Sequence, residues 1–386
     1  MDTLRIRAYN VRFGDAILVS VPDRNASQET MTRHILIDLG NVLAGSGGVD
    51  AVFEPVVADI LGELHGQPLD LYVMTHEHMD HVQGPLWLKQ KRGIDLKATH
   101  AWLTASAAPD YYDQHPEAKR KRLELEQIFL RISTFLAAAP EESSPATQAL
   151  LFNNNPRSTG DCVEFLRGVG GTTTYGFRGV ELADRHPFGE TRFEIWSPEE
   201  DTSIYYGRFR PMGLGVADSG ESGEFQVGAL KPPSGVDAGA FFNLVEKRQR
   251  GVFDNLLAID KAANNTSLVF SLEWRGWRLL FPGDAEHRAW LEMNKRGLLK
   301  PVHFLKVGHH GSWNGTPPPE LLEQVLPLPT PDGRQRRALV STHDGTYAGV
   351  PNRETLDELR RRCDDVISVG DPDDALFVDI HFPDQP

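Results

Sequence analysis

Polar and apolar positions alternate over residues 4–9, Leu-Arg-Ile-Arg-Ala-Tyr, and mainly apolar runs follow at 16–21 and 34–39. These patterns predict an opening three-strand meander with a polar loop over 22–32. A helix over 51–64 leads into a further strand at 69–74. Beyond it the spacing predicts a helix over 83–91 with Pro85 in its first turn, a strand over 96–104, and a helix over 117–138. Later runs at 267–274 and 277–281 flank Arg275-Gly276 as a hairpin, and short buried strands at 302–307 and 338–341 end near His309 and His343. Such alternation of strands and helices is the mark of an α/β protein with layered sheets covered by helices. Two stretches, 142–158 and 201–239, are rich in Ser, Pro, Gly and Asn and read as loop excursions. The second is long enough to be a lid or a contact in a homo-oligomer or with a protein partner.

Each predicted strand in the second half delivers a polar residue to one rim, which is how sheet proteins assemble sites from distant parts of the chain. The densest polar group follows the 69–74 run: His76-Glu77-His78-Met79-Asp80-His81. Three imidazoles and two carboxylates within six residues form a donor set suited to Zn²⁺ or another borderline divalent ion. On an extended segment His76 and His78 fall on one side, while Asp80 and His81 begin the next turn and can reach a second ion. The plain alternative is a polar loop of solvated histidines.

Around that group the chain resembles the metallo-β-lactamase fold hydrolases, whose signature is His-x-His-x-Asp-His after a strand. Three more stretches are similar to the ComEC-like branch of that superfamily. They are Asn10 to Ala16 with Ile35 to Gly40, then Asn265 to Val269 with Leu280 to Glu286, and Leu305 to Ser312. The resemblance implies an αββα four-layer sandwich and two divalent metal ions, Zn²⁺ or Mn²⁺. It implies metal ligands at His76, His78, Asp80, His81 and Asp284, with Asp284 bridging the ions. Asp38 would orient a metal-binding histidine from behind. His309 or His310 supplies a further ligand, and sequence does not separate them. With His309 on the metal, His310 joins Asp80 and Tyr347 as catalytic candidates, with Ser312 supporting. For Asp284 the alternative role is a helix N-cap, and for Tyr347 a packed ring with its hydroxyl in water.

Motif positions run from near residue 10 to near residue 312 of 386, so a single domain over 1–386 is expected. Cys162 and Cys363 offer no disulfide framework, the first residues lack a signal-peptide core, and no apolar run is long enough to span a bilayer. These features point to a cytoplasmic protein without a membrane partner. A net charge of −14 argues against a broad grip on long nucleic acid, although the basic clusters within 89–97 and 119–122 could guide a short phosphate chain.

Two departures from the superfamily pattern weaken one metal position. His186 precedes rather than follows its strand, and Val350 stands where a histidine is expected, with His343 as the best substitute. The leading expectation is a phosphodiesterase or nuclease that uses a metal-activated hydroxide on short or single-stranded nucleic acid. Hydrolysis of a carbonyl ester, lactone or thioester on the same site is the second. A binding or scaffold protein with a decayed site is the third.

Overall fold

The computed structural model describes residues 2–25, 27–42, 49–140, 143–209, 238–343, 349–370 and 375–384. Their elements run β1 (Thr3–Tyr9), β2 (Ile17–Arg24), β3 (Thr30–Ile37), α1 (Val49–Leu64), β4 (Leu69–Met74), α2 (Met79–Arg92), β5 (Ala98–Thr104), α3 (Tyr111–Gln114), α4 (Pro116–Ala138), α5 (Pro145–Asn153), α6 (Pro156–Leu166), β6 (Gly170–Gly176) and β7 (Thr191–Ser197). After these come α7 (Ala238–Asn264), β8 (Val269–Trp274), β9 (Trp277–Phe281), α8 (His287–Lys295), β10 (Phe304–Lys306), α9 (Pro319–Val325), β11 (Arg337–Ser341), α10 (Arg353–Arg362), β12 (Asp365–Val369) and β13 (Phe377–Pro383).

The strands form two sheets, one of seven in the order β13-β1-β2-β3-β4-β5-β6 and one of six in the order β12-β11-β10-β9-β8-β7. Both combine an antiparallel part with a parallel part. In the first, β1, β2 and β3 pair antiparallel and β3, β4, β5 and β6 pair parallel. In the second, β7, β8 and β9 are antiparallel and β9, β10, β11 and β12 parallel.

The sheets face each other across one apolar cluster. Ile6, Val19, Ile37, Val73 and Trp102 from the first meet Phe270, Leu272, Leu279, Phe281 and Phe304 from the second. On the outer face of the first sheet, Leu36, Tyr72 and Leu103 pack on Phe53, Val56 and Ile60 of α1, Leu88 of α2 and Val163 of α6. On the outer face of the second, Leu280, Leu305 and Val340 pack on Trp290 of α8, Leu322 of α9 and Leu359 of α10. The result is helix, sheet, sheet, helix. Covering both faces of a strand explains why β4 is nearly continuous in apolar residues, each large one contributing about 1.5–3 kcal/mol by leaving water.

One sequence expectation is corrected, and another falls largely outside the described residues. The stretch 142–158 is not a loop excursion, because it contains α5 and the start of α6. Ser144 and Asn155 cap those helices through their side chains, and Pro145 and Pro156 occupy the first helical turns. Much of the expected lid at 201–239 lies outside the described residues, and α7 begins at its end, at Ala238. A separate apolar cluster joins α4, α5 and α7 through Phe129, Ile132, Leu150, Leu256 and Ile259. This cluster brings α5 and α7 to the edge where β4 ends. Among the described residues no helix is long and apolar enough to cross a membrane.

Candidate metal centre

The loop after β4 is anchored before any ligand is considered. Asp38, just past β3, has φ 55° and accepts from the Thr75 amide at 2.8 Å and the Thr75 hydroxyl at 2.6 Å. Thr75 in turn accepts from the Leu268 amide at 2.8 Å, tying the loop to the second sheet. From the same carboxylate, Oδ2 accepts from His81 Nδ1 at 2.8 Å, which turns His81 Nε2 inward. Helix α2 starts at Met79, directly after His78, so Asp80 and His81 sit in its first turn. The Asp80 amide donates to Asn153 Oδ1 at 3.1 Å, and its carbonyl accepts from the Asp15 amide at 3.0 Å. Gly40 lies so close beneath this turn that a Cβ there would fall 2.2 Å from Asp80 C and His81 N.

From the second sheet, Asp284 follows β9 and its amide donates to Ser267 Oγ at 3.1 Å. The turn after β10 holds His309 at φ 47° and His310 at φ 54°, two consecutive left-handed residues other than glycine. Such strain, of order 1–3 kcal/mol per residue, is held only where surrounding structure enforces it. Here the two turns point the adjacent rings into different clusters. His310 donates Nδ1–H to the Ser341 carbonyl at 2.9 Å, packs its ring 4.0 Å from that of Phe13, and directs Nε2 at Asp80 and Asp284.

Asp80, His81, Asp284 and His310 therefore offer ligand atoms that all lie within 4.8 Å of one another, and all four residues are buried. His310 Nε2 is 3.2 Å from Asp80 Oδ2 and 3.3 Å from Asp284 Oδ2, and His81 Nε2 is 3.3 Å from Asp284 Oδ2. Ligands bonded at about 2.1 Å around a tetrahedral ion stand about 3.4 Å apart, so these separations suit one divalent ion. Asp80 Oδ1 and His81 Nε2 are buried with no hydrogen-bond partner, which fits donor atoms reserved for a metal. Beside them His76 Nε2 and His78 Nδ1 stand 3.0 Å apart, at hydrogen-bond distance, and neither residue falls in a metal-capable group among the described residues. His78 Nε2 is 2.9 Å from Asn154 Oδ1.

Charge supports the same reading. Asp15, Asp38, Asp80 and Asp284 are buried carboxylates, and the buried ammonium among them is that of Lys306. Lys306 contacts Asp15 and lies 3.1 Å from Asp284 Oδ1. Burial opposes the charge on His310, but Asp284 and Asp80 outweigh it and raise its pKa to about 9. Burial likewise opposes charge on His81, and Asp284, Asp80 and Asp38 raise it well above the ordinary range. His76 moves the other way, pushed well down by burial and by the neighbouring His81 and His78. Burial raises Asp284, yet Lys306, His310 and His81 carry it well below the carboxylate range. Two imidazoles drawn toward the charged state by carboxylates occupy the place a cation would take.

The remaining expected residues separate. His309 is not in the four-residue group; it lies with Asp260 and Glu286 in a second cluster. Ser312 accepts from the Gly315 amide at 3.2 Å and lines a cavity of about 520 Å³ above the centre. Tyr347 lies outside the described residues. His343 and His186 belong to none of the metal-capable clusters found among the described residues. Residues that sequence reading passed over are Asp15, grouped with Asp38 and His81, and Asn153, Asn154, Asp260 and Glu286. Asp15 and Glu286 lie within motif stretches, but the others have no local signal. The cavity is walled by Phe13, Leu150, Phe253, Leu257, Trp313 and Val350, with Asp80, Asp284, Asp260 and Glu286 also reaching it.

The basic clusters are largely ion-paired: Lys119 with Asp113, Arg120 with Glu117, Arg122 with Glu126, and Lys89 with Asp95.

No protein-family profile and no curated protein matches the chain. Among solved structures it is similar to a long form RNase Z from yeast, at 19% sequence identity over 27% of this chain and 14% of that one, with a TM-score of 0.17. The match thus spans about a seventh of that chain's length.

Proposed function

We propose that the chain is a single-domain, metal-dependent hydrolase of the metallo-β-lactamase type, ComEC-like in its motifs, acting on phosphodiesters. The observation that carries this reading is the group Asp80, His81, Asp284 and His310, buried at ligand spacing with two unpartnered donor atoms at a 520 Å³ cavity. By the resemblance, His76 and His78 would hold a second ion, with Asp284 as the carboxylate shared with the first. Divalent ions there, Zn²⁺ or Mn²⁺, supply Lewis acidity and an activated water. The chain's own part is to hold these donors rigid, with Asp38 fixing His81, Lys306 fixing Asp284 and the Ser341 carbonyl fixing His310. In this reading His310 is a ligand rather than the proton donor. Trp313, 61% exposed at the cavity rim, offers a flat face on which a base can stack.

One observation favours the second reading, a carbonyl ester, lactone or thioester. The cavity wall is mainly apolar and acidic, with Lys261 as its basic member besides the histidines. The test is turnover by metal-loaded protein of bis-p-nitrophenyl phosphate and a single-stranded oligonucleotide, against a p-nitrophenyl ester and a lactone. Faster hydrolysis of the lactone or ester than of either phosphodiester transfers the assignment. Protein that takes up neither Zn²⁺ nor Mn²⁺ in excess removes the enzyme reading.

A further inference from the structure

Asp260 from α7, Glu286 at the start of α8 and His309 after β10 converge on the cavity wall beside the centre. Both carboxylates are buried, at 4% and 3% exposure, and among the described residues neither has a lysine or arginine in ion-pair reach. Leaving two buried carboxylates side by side without a cation is costly. His309 does not close the gap by hydrogen bonding. Its Nε2 is 3.7 Å from Asp260 Oδ2, its Nδ1 is 3.4 Å from Glu286 Oε1, and that Nδ1 has no hydrogen-bond partner. Charge-assisted hydrogen bonds run at about 2.7–2.9 Å, whereas ligand atoms across a tetrahedral ion stand about 3.4 Å apart.

A second observation points the same way. Asn264, fully buried, directs its amide into the cluster, with Nδ2 3.1 Å from Asp260 Oδ2 and 3.0 Å from Glu286 Oε1. Its Oδ1 is left buried without a partner. The two ends of an amide have nearly the same shape, so with a cation in place a half-turn of the group would exchange the Nδ2 contacts with Asp260, Glu286 and His309 for ligation by the orphaned oxygen.

The geometry points to a third divalent-cation site, formed by Asp260, Glu286, His309 and the Asn264 amide oxygen and separate from the motif-derived centre. Oxygen-rich ligation with one imidazole suits Mn²⁺ or Zn²⁺. Asn154 joins the two places, since its Nδ2 donates to Asp260 Oδ1 at 2.8 Å and its Oδ1 is 2.9 Å from His78 Nε2. An ion there would also counter the acidic wall of the cavity, making it receptive to an anionic substrate. That last consequence rests on the hydrolase reading, whereas the site itself is read by binding alone.

The experiment uses the whole chain, stripped with chelator, dialysed against Zn²⁺ or Mn²⁺ and counted by elemental analysis, with circular dichroism as the check on folding. The wild type is expected to bind one equivalent more than Glu286→Gln or Asp260→Asn, and Asp80→Ala is expected to keep that equivalent. Unchanged stoichiometry in both cluster variants, or no further loss when Glu286→Gln is added to Asp80→Ala, overturns the proposal. Should the variants not fold, a wild-type crystal soaked in Zn²⁺ answers by anomalous scattering. A peak among Asp260, Glu286 and His309 supports the site, and no peak at saturating metal overturns it. Metal bound only at the third site would count against the hydrolase reading and leave this one standing.

Discussion

His310 Nε2 lies 3.2 Å from Asp80 Oδ2, although 230 positions separate the two residues in the chain. The contact joins the first turn of α2, on one sheet, to the strained turn after β10, on the other. It places the candidate centre at the seam between the sheets, where neither half of the chain can complete it alone.

Metal content is the first consequence. With His76 and His78 lacking the superfamily's further histidine and Asp80, His81, Asp284 and His310 complete, two motif-derived sites of unequal affinity are expected. Asp80→Ala and His310→Ala should each weaken the tighter one by more than the roughly 10–100-fold that loss of a supporting hydrogen bond costs a metal site. Calorimetric titration with Zn²⁺ reads this, and wild-type affinity in both variants would remove the four-residue assignment.

Asp38 should act through His81. Its carboxylate holds Thr75 and receives His81 Nδ1–H, so Asp38→Asn should lower metal affinity about 10–100-fold while leaving the ligand count intact. Stoichiometry at saturating Zn²⁺ separates this from outright loss of a ligand.

Gly40 should tolerate no side chain. The atoms 2.2 Å from a Cβ at this position are backbone of Asp80 and His81, which cannot swing aside as a flexible side chain can. Gly40→Ala is therefore expected to cost about 1–3 kcal/mol of stability and to displace both ligands. Chemical denaturation and metal titration on the same sample check it; a neutral effect on both would mean that the two backbones are less tightly apposed.

Acid sensitivity should involve Asp23, a buried carboxylate that stitches the sheets together. Burial pushes its pKa up, but the Gly189 and Glu190 amides and Arg33, at 2.6 Å, bring it net below the ordinary carboxylate value. A folded pKa below the unfolded value of about 3.9 means that the stabilisation is fully present above that pH and disappears as pH falls through the folded value. Asp23→Asn should lower stability at pH 7 by about 3 kcal/mol and flatten the pH dependence below 4. Denaturation midpoints between pH 2 and 7 decide the matter.

Substrate contacts should favour the cavity rim over the helical surface. Trp313→Ala is expected to raise KM for a single-stranded oligonucleotide several-fold more than for bis-p-nitrophenyl phosphate, since stacking contributes about 1–3 kcal/mol per base. Reversing Lys119 and Arg120, already paired with Asp113 and Glu117, should affect the two substrates alike. A selective loss on the oligonucleotide from the charge reversal would restore α4 as a binding strip.

Much of the layered architecture is legible in short windows, because a strand buried on both faces must be apolar along its length and a surface helix must repeat every three to four residues. The spacing from His76 to His81 is legible for the same reason: those donors share one loop and one helix start. Misreading of 142–158 came from residues with two meanings. Ser144, Pro145, Asn155 and Pro156 punctuate loops, yet they also cap and open helices, and packing of α5 on α7 and of α6 on the first sheet selects the second meaning.

Other features had no local signal at all. Strand β13 pairs with β1 across nearly the whole chain, from Thr3 opposite Pro383 to Tyr9 opposite Phe377, and nothing near residue 380 names its partner. Adjacent His309 and His310 look equivalent as letters, but successive left-handed turns, imposed by contacts such as His310 with Ser341, send one ring to Asp80 and the other to Glu286. Asp260 is an ordinary helix-side acid in sequence, and Glu286, though it closes a motif stretch, has nothing near it that names Asp260 as its neighbour. They become a paired carboxylate cluster because α7 and α8 dock against the same edge, and burial turns a solvated charge into one that requires a cation.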